Sequence, residues 1–196
     1  MRVTGGQWRG RKLIPPKTMN TRPTTDRARE GICSALASRD CIKDANVLDL
    51  FAGTGAVSFE FLSRGASHST LIESDSAMRN TIVRNAEALG SKQSIHVATI
   101  NLTLASSRAL DDLLRVTQGP FDLVYADPPY RQFTDFLPLF HLIAASSLVT
   151  AGSLFLLETA SSTKADFTSP FSDAKPYRYG DTTIWLLTIK NQSACL

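Results

Sequence analysis

The chain has 196 residues, 43% of them hydrophobic, which is enough for one well-buried domain with a small appendage and too few for two full-sized cores. Residues 1–40 carry nine Lys/Arg against three Asp/Glu, whereas the rest of the chain carries twelve against fifteen, so the net charge of +3 resolves into a basic arm and a slightly acidic remainder. That asymmetry points to a polyanionic partner met mainly through the N-terminal region, and it excludes a uniformly acidic or uniformly basic protein.

Cys33, Cys41 and Cys195 form no C-x-x-C pair, and His68, His96 and His141 lack ligand spacing. We therefore expect neither a disulfide framework nor a metal, and a reducing cytoplasmic setting. Residues 1–6 lack an apolar signal core and no apolar run approaches the ~20 residues of a membrane span, so neither secretion nor membrane insertion is expected.

In chain order, residues 2–14 read as a short hairpin around Gly5-Gly6, with Val3, Trp8, Leu13 and Ile14 as apolar contacts and Arg9, Arg11 and Lys12 solvated. Pro15-Pro16 ends it. From Thr24 or Thr25 a helix runs to about Ser38, because Ala28, Ile32, Ala35 and Leu36 recur at helical spacing after N-cap-type residues.

The pattern then alternates. A strand at Val47–Phe51 precedes a helix at 56–64, a strand at Thr70–Glu73 precedes a helix at 75–89, and a strand at 94–99 precedes a helix at 104–116. A fourth strand at 121–126 leads to a helix at 134–147 and a fifth strand at 153–158. Such alternation predicts an α/β, doubly wound, mostly parallel sheet covered on both faces. Lys175–Tyr179 and Thr182–Lys190 flank Gly180-Asp181 and read as an antiparallel hairpin at one sheet edge. The expected organisation is a basic N-terminal hairpin over residues 1–20 and an α/β domain over 21–196.

Two constellations carry chemistry. Asp49-Leu50-Phe51-Ala52-Gly53-Thr54-Gly55 is a strand end that enters a glycine turn and then a helix, where glycine lets backbone approach a ligand closely. A lone G-x-G also suits a simple tight turn. In a dinucleotide fingerprint the third glycine would fall at Ser58, and Asp49 would bring negative charge to a pyrophosphate. A cationic, phosphate-free cofactor such as S-adenosylmethionine suits that acid better. Glu73, twenty residues after Gly53 at the end of the second strand, is placed to accept from two ribose hydroxyls.

The second constellation is Asp127-Pro128-Pro129-Tyr130, directly after the fourth strand. Each proline fixes its own φ and pushes its predecessor toward extended geometry, which holds the Asp127 carboxylate and the Pro128 carbonyl as fixed acceptors for an exocyclic amine. Accepting those protons favours the pyramidal, electron-rich nitrogen needed for attack, and Tyr130 offers a face for stacking. Guanine N2, adenine N6 and a protein glutamine all present such a nitrogen, so the four residues leave the acceptor open.

In this order the motifs resemble the class I S-adenosylmethionine-dependent methyltransferases, and more closely the bacterial RsmD-type 16S rRNA guanine-N2 methyltransferases. The resemblance rests on Gly5-Gly6-x-Trp8-Arg9-Gly10-Arg11-Lys12-Leu13, Arg22-Pro23-Thr24-Thr25-Asp26-Arg27-x-Arg29-Glu30, Asp49 to Gly55, Ser63-Arg64-Gly65-Ala66, Asp127 to Tyr130, and Tyr179-Gly180-Asp181-Thr182. It implies a Rossmann-like seven-stranded sheet whose last strand is antiparallel, and methylation of one guanine, at position 966 of the small-subunit rRNA, within assembled small ribosomal subunits.

By resemblance, Asp49, Gly53 and Gly55 border the methionine part of S-adenosylmethionine and Glu73 its ribose, with Phe51 also a cofactor-binding residue and S-adenosylhomocysteine as product. Arg22 and Thr24 belong to a segment that closes over the cofactor, and Asp127, Pro128, Pro129 and Tyr130 hold the base. Where related enzymes have an acid for the adenine amine, this chain has Ala98-Thr99-Ile100-Asn101, and Asn101 is the substitute acceptor. Asn85 is a further candidate helix-face contact. Arg9, Arg11, Lys12 and Lys17 are expected to bind RNA phosphates while the target base turns out of its stack. The chain is expected to act as a monomer. Alternatives are an adenine-N6 nucleic-acid or protein-glutamine methyltransferase, or a non-catalytic RNA-binding or ribosome-assembly factor.

Overall fold

Short buried strands alternate with amphipathic helices over almost the whole chain of the computed structural model, which describes residues 1–15, 26–103, 105–129 and 132–190. Two compact units result, Met1–Thr99 and Ile100–Leu196. Seven strands form one mixed, mostly parallel sheet in the order 3-2-1-4-5-7-6. Among the described residues no helix is long and apolar enough to cross a membrane.

In the first unit, α1 (Asp26–Ala37), α2 (Ala56–Ser63) and α3 (Ser76–Leu89) accompany the parallel strands β1 (Asn46–Leu50), β2 (His68–Ile72) and β3 (Ile95–Ala98). The helix ends follow their side chains. Asp75 accepts from the Met78 N–H at 2.9 Å to start α3, and Gly90 terminates it. Ile82, Ala86 and Leu89 bury one face of α3, as their helical spacing predicts.

Residues 1–15 keep a short antiparallel pairing around Gly5-Gly6, with a wider loop than a tight hairpin turn. A single antiparallel bridge joins Arg2 to Lys12, and Gly6–Trp8 make a one-turn 3-10 helix. The two arms pair through Val3 N–H to the Arg11 carbonyl at 3.0 Å, Gly10 N–H to the Val3 carbonyl at 2.9 Å and Leu13 N–H to the Met1 carbonyl at 3.2 Å, and the loop between them is tied to α2. Thr4 N–H donates to Glu60 Oε2 at 2.8 Å and Trp8 N–H to Ser63 Oγ at 2.9 Å, while Ser63 Oγ donates to the Gly5 carbonyl at 2.6 Å.

Glu60 is the hub of this attachment. It is fully buried, and its Oε1 accepts from Thr4 Oγ1 at 2.6 Å and from Arg64 Nε at 3.0 Å. The buried Arg29 of α1 lies 3.5 Å from Glu60 Oε2 and donates to the Arg2 carbonyl at 2.7 Å and to Asp26 Oδ1 at 2.9 Å. A buried acid flanked by two guanidiniums is costly to break from one side, because the survivor keeps an unpaired charge.

In the second unit, α4 (Ser106–Val116), β4 (Phe121–Ala126), α5 (Phe133–Ala144) and β5 (Val149–Ala160) complete the parallel part, with β4 and β5 parallel neighbours. β5 starts four residues before the expected Ser153. Gly152 and Ser153 read as a turn, but Ser153 Oγ accepts from the Thr150 N–H at 2.8 Å and donates to the Phe121 carbonyl at 2.6 Å, carrying the strand through a register shift. β6 (Phe171–Tyr179) and β7 (Thr182–Ile189) form the expected hairpin across Gly180-Asp181, and β7 pairs antiparallel with β5.

Candidate active site

The glycine turn in the first unit is braced by side chains at both ends. Glu73 Oε2 accepts from the Gly53 N–H and Oε1 from the Asp75 N–H, each at 2.8 Å, so one carboxylate ties the end of β2 to the turn after β1. Asn85, read as a helix-face candidate, is fully buried. Its Oδ1 accepts from the Ile14 N–H at 2.8 Å and its Nδ2 donates to the Thr54 carbonyl at 3.1 Å, clamping residue 14 and the turn onto α3. Spacing places Asn85 on the same face as Ile82 and Leu89, but it cannot name Ile14 and Thr54 as its partners.

Gly53 and Gly55 both have positive φ, +55° and +77°, and differ in surroundings. A Cβ on Gly55 would lie 2.8 Å from Phe59 Cε2 and 3.0 Å from Leu71 Cδ2, whereas one on Gly53 would meet open space. Gly55 is therefore needed for packing, and Gly53 leaves room beside the turn. Phe51, also at positive φ (+67°), bends the chain as it leaves β1.

Asp49 is buried, and only its Oδ2 is hydrogen-bonded, accepting from Ser58 Oγ at 2.6 Å. Oδ1 is a buried acceptor without a partner. Burial pushes the carboxyl up to about 7, and the Glu73 carboxylate adds to the rise while the Ser58 hydrogen bond opposes it. An unpartnered buried acceptor, the open space at Gly53 and the fixed Glu73 carboxylate together fit a ligand that carries a cationic N–H donor and vicinal hydroxyls. The first unit thus brings Asp49, Phe51, Gly53, Gly55 and Glu73 together at the ends of two adjacent strands.

In the second unit, Asp127 is half-buried, Pro128 buried and Pro129 exposed. The Pro129 carbonyl accepts from the Gln132 N–H at 2.8 Å, linking the proline pair to the start of α5. Just before the motif, Tyr125 donates its hydroxyl to the fully buried Glu158 of β5 at 2.5 Å, anchoring the end of β4. Asn101 is exposed, and its Oδ1 accepts from Thr103 N–H at 3.0 Å and Thr103 Oγ1 at 2.6 Å, so the acceptor expected for the adenine amine shapes a local turn.

Arg9, Arg11 and Lys12 are exposed. Arg11 donates to the Ala88 carbonyl and, at 3.4 Å, to the Leu89 carbonyl, which places its cation on the C-terminal end of α3. Lys17, Arg22, Thr24 and Tyr130 lie outside the described residues. No cluster of metal-ligating side chains occurs among the described residues.

A family model described as conserved hypothetical protein 95 matches residues 1–188. Ribosomal RNA small subunit methyltransferase D of Escherichia coli K12 is 41% identical over 132 residues, 67% of this chain and 61% of that protein. The Haemophilus influenzae protein of the same name is 33% identical over 132 residues, 67% of this chain and 64% of that protein. The matched stretch thus spans less than two thirds of either relative. The solved structure of E. coli yhhF superposes with a TM-score of 0.77 at 30% identity, covering 98% of this chain and 99% of that one. An RNA methyltransferase from Salinibacter ruber in complex with S-adenosyl-L-homocysteine, 13% identical with a TM-score of 0.60 over 87% of this chain and 95% of that one, shares the fold.

Proposed function

Because the chain belongs to the family described as conserved hypothetical protein 95, the RsmD family, we propose that it is an S-adenosylmethionine-dependent methyltransferase acting on the exocyclic N2 of a guanine, position 966, in the 16S rRNA of small ribosomal particles. The observation that carries the cofactor is the buried, unpartnered Asp49 Oδ1 beside the open space at Gly53. When bound, S-adenosylmethionine supplies an electrophilic methyl on a sulfonium.

The protein's residues bind and orient. Asp49 Oδ1 accepts from the ligand's α-ammonium, a donor the sulfonium lacks. Glu73, already oriented by two backbone N–H groups, uses its remaining lone pairs for two ribose hydroxyls. Asp127 and the Pro128 carbonyl accept from the target amine, which localises the nitrogen lone pair, and Tyr130 stacks on the base. Hydrogen bonds to a carboxylate are about twice as strong as neutral ones, which suits Asp127 to gripping an amine that gains positive charge as it is alkylated. Arg9, Lys12 and Lys17 contact phosphates, with Arg11 divided between that role and the end of α3; Arg22 and Thr24 close over the cofactor, and the protein works as a cytoplasmic monomer.

Labelled-methyl transfer to unmodified small ribosomal particles, followed by nucleoside mass spectrometry and site mapping, tests this reading. N2-methylguanine at one site is the expected product. N6-methyladenine would move the acceptor to adenine, and no transfer to any nucleic acid would favour an assembly factor.

A further inference from the structure

Beside the glycine turn, a chain of buried hydroxyls runs away from Asp49 into the first unit. Ser69 Oγ of β2 donates to Ser58 Oγ of α2 at 2.8 Å, and Ser58 Oγ donates to Asp49 Oδ2 at 2.6 Å. All three side chains are buried, and Oδ1 has no partner. An ionised carboxylate only accepts, so Ser58 must donate to it, and the Ser58 oxygen is then the acceptor for Ser69. In the ionised form the direction of the chain is fixed by chemistry. Ser58 stands where a dinucleotide fingerprint has its third glycine, and a glycine there has no hydroxyl to offer.

This chain bears on ligand choice because a carboxylate stripped of water is stable only if its lone pairs are met. The charged group acting on Asp49 among the described residues is the Glu73 carboxylate, which disfavours ionisation, as does burial itself. Against both stands Ser58, through its hydroxyl first and its backbone second, and only the hydroxyl is lost in Ser58→Ala. Resting on the S-adenosylmethionine reading above, we propose that Ser58, held by Ser69, is a positioning residue that ties down Oδ2 and presents Oδ1, ionised, to the α-ammonium of the cofactor. The relay therefore acts on the amino-acid end of the ligand and leaves recognition of the nucleoside untouched.

S-adenosylhomocysteine and 5′-methylthioadenosine separate those two ends, since they share the nucleoside thioether but only the former carries the ammonium. Calorimetric titration of each with wild type, Ser58→Ala and Ser69→Ala, between about pH 5.5 and 7.5 so that the ligand amine stays protonated, tests the relay. For wild type, S-adenosylhomocysteine affinity climbs with pH and begins to level near the top of the range. For Ser58→Ala it is about tenfold weaker at pH 7 and still climbing at the upper end, because the hydroxyl that favoured the ionised form is gone. Ser69→Ala gives the same pattern with about a threefold loss, and carries the test alone if Ser58→Ala does not fold. 5′-Methylthioadenosine affinity stays within about twofold throughout.

An unmoved pH profile in the serine variants, or equal losses for both ligands, would overturn the relay while leaving the cofactor reading intact. A wild type that binds neither ligand overturns the cofactor reading itself, and the relay's role with it.

Discussion

The glycine turn of the first unit and the Asp127-Pro128-Pro129 segment of the second are held rigid by opposite means. Around the turn, side chains supply the restraint, with Glu73 on Gly53 and Asp75, Asn85 on Thr54 and Ser58 on Asp49. At the segment, pyrrolidine rings fix successive φ angles, with the Tyr125–Glu158 hydrogen bond anchoring the strand behind them. A turn held by separate hydrogen bonds can be loosened one bond at a time, each at about 1 kcal/mol or more. A segment held covalently keeps its path when a side chain is cut back, so substitutions there report on chemistry more than on shape.

The largest effect that follows is at Asp127. Asp127→Ala should slow methyl transfer by about a thousandfold in single-turnover assays while leaving the S-adenosylhomocysteine affinity within about twofold, and an unchanged rate would remove the residue from the mechanism. Within the turn, the two glycines should part company. Gly55→Ala drives a methyl into Phe59 and Leu71 at a positive φ and should cost about 3 kcal/mol in denaturant unfolding. Gly53→Ala should cost about 1 kcal/mol from its torsion yet weaken cofactor binding out of proportion; matching losses of stability and affinity would deny the open space a ligand role.

Asp49 offers a pH test in the ligand-free protein. Its carboxyl is raised from the ordinary 3.8 to about 7, so between those values the folded state keeps a proton that the unfolded chain has released. The corresponding stability is complete below about pH 3.8 and is lost as pH rises through about 7. The stability difference between wild type and Asp49→Asn should accordingly fall across that window and then flatten, and a difference that grew with pH would reverse the assignment. The smallest effect concerns the arm. Arg11→Ala should cost about 0.5 kcal/mol through the α3 terminus, and Lys12→Ala should reduce the salt slope of RNA binding by about one and by more than Arg11→Ala does.

Much of the fold was legible because its signals are local. The apolar run 121–126 coincides with β4, and α2 and α3 match their predicted spans to within a residue at each end. The glycine turn and Glu73 were legible from spacing alone, since strand ends of a parallel sheet converge on such turns. What stayed hidden depends on partners far apart in sequence. Glu60 looks like an ordinary helix charge, Ser58 and Ser69 like filler between apolar residues, and Gly5-Gly6 like the turn of a free-standing hairpin. Each is decided by a tertiary partner, a carboxylate, a hydroxyl or the α2 side chains, that no periodicity encodes.

Glu60 also bears on the order of events during synthesis. Thr4 and Arg29 can be in place only once residue 60 exists to receive them, and the attachment at Gly5 and Trp8 waits on Ser63. At about 5–20 residues per second on the ribosome, residues 2–12 are made several seconds before their seat in α2 emerges. This basic segment, the proposed RNA contact, therefore stays unattached for that interval, which makes its tethering to α2 a matter of timing as well as of stability.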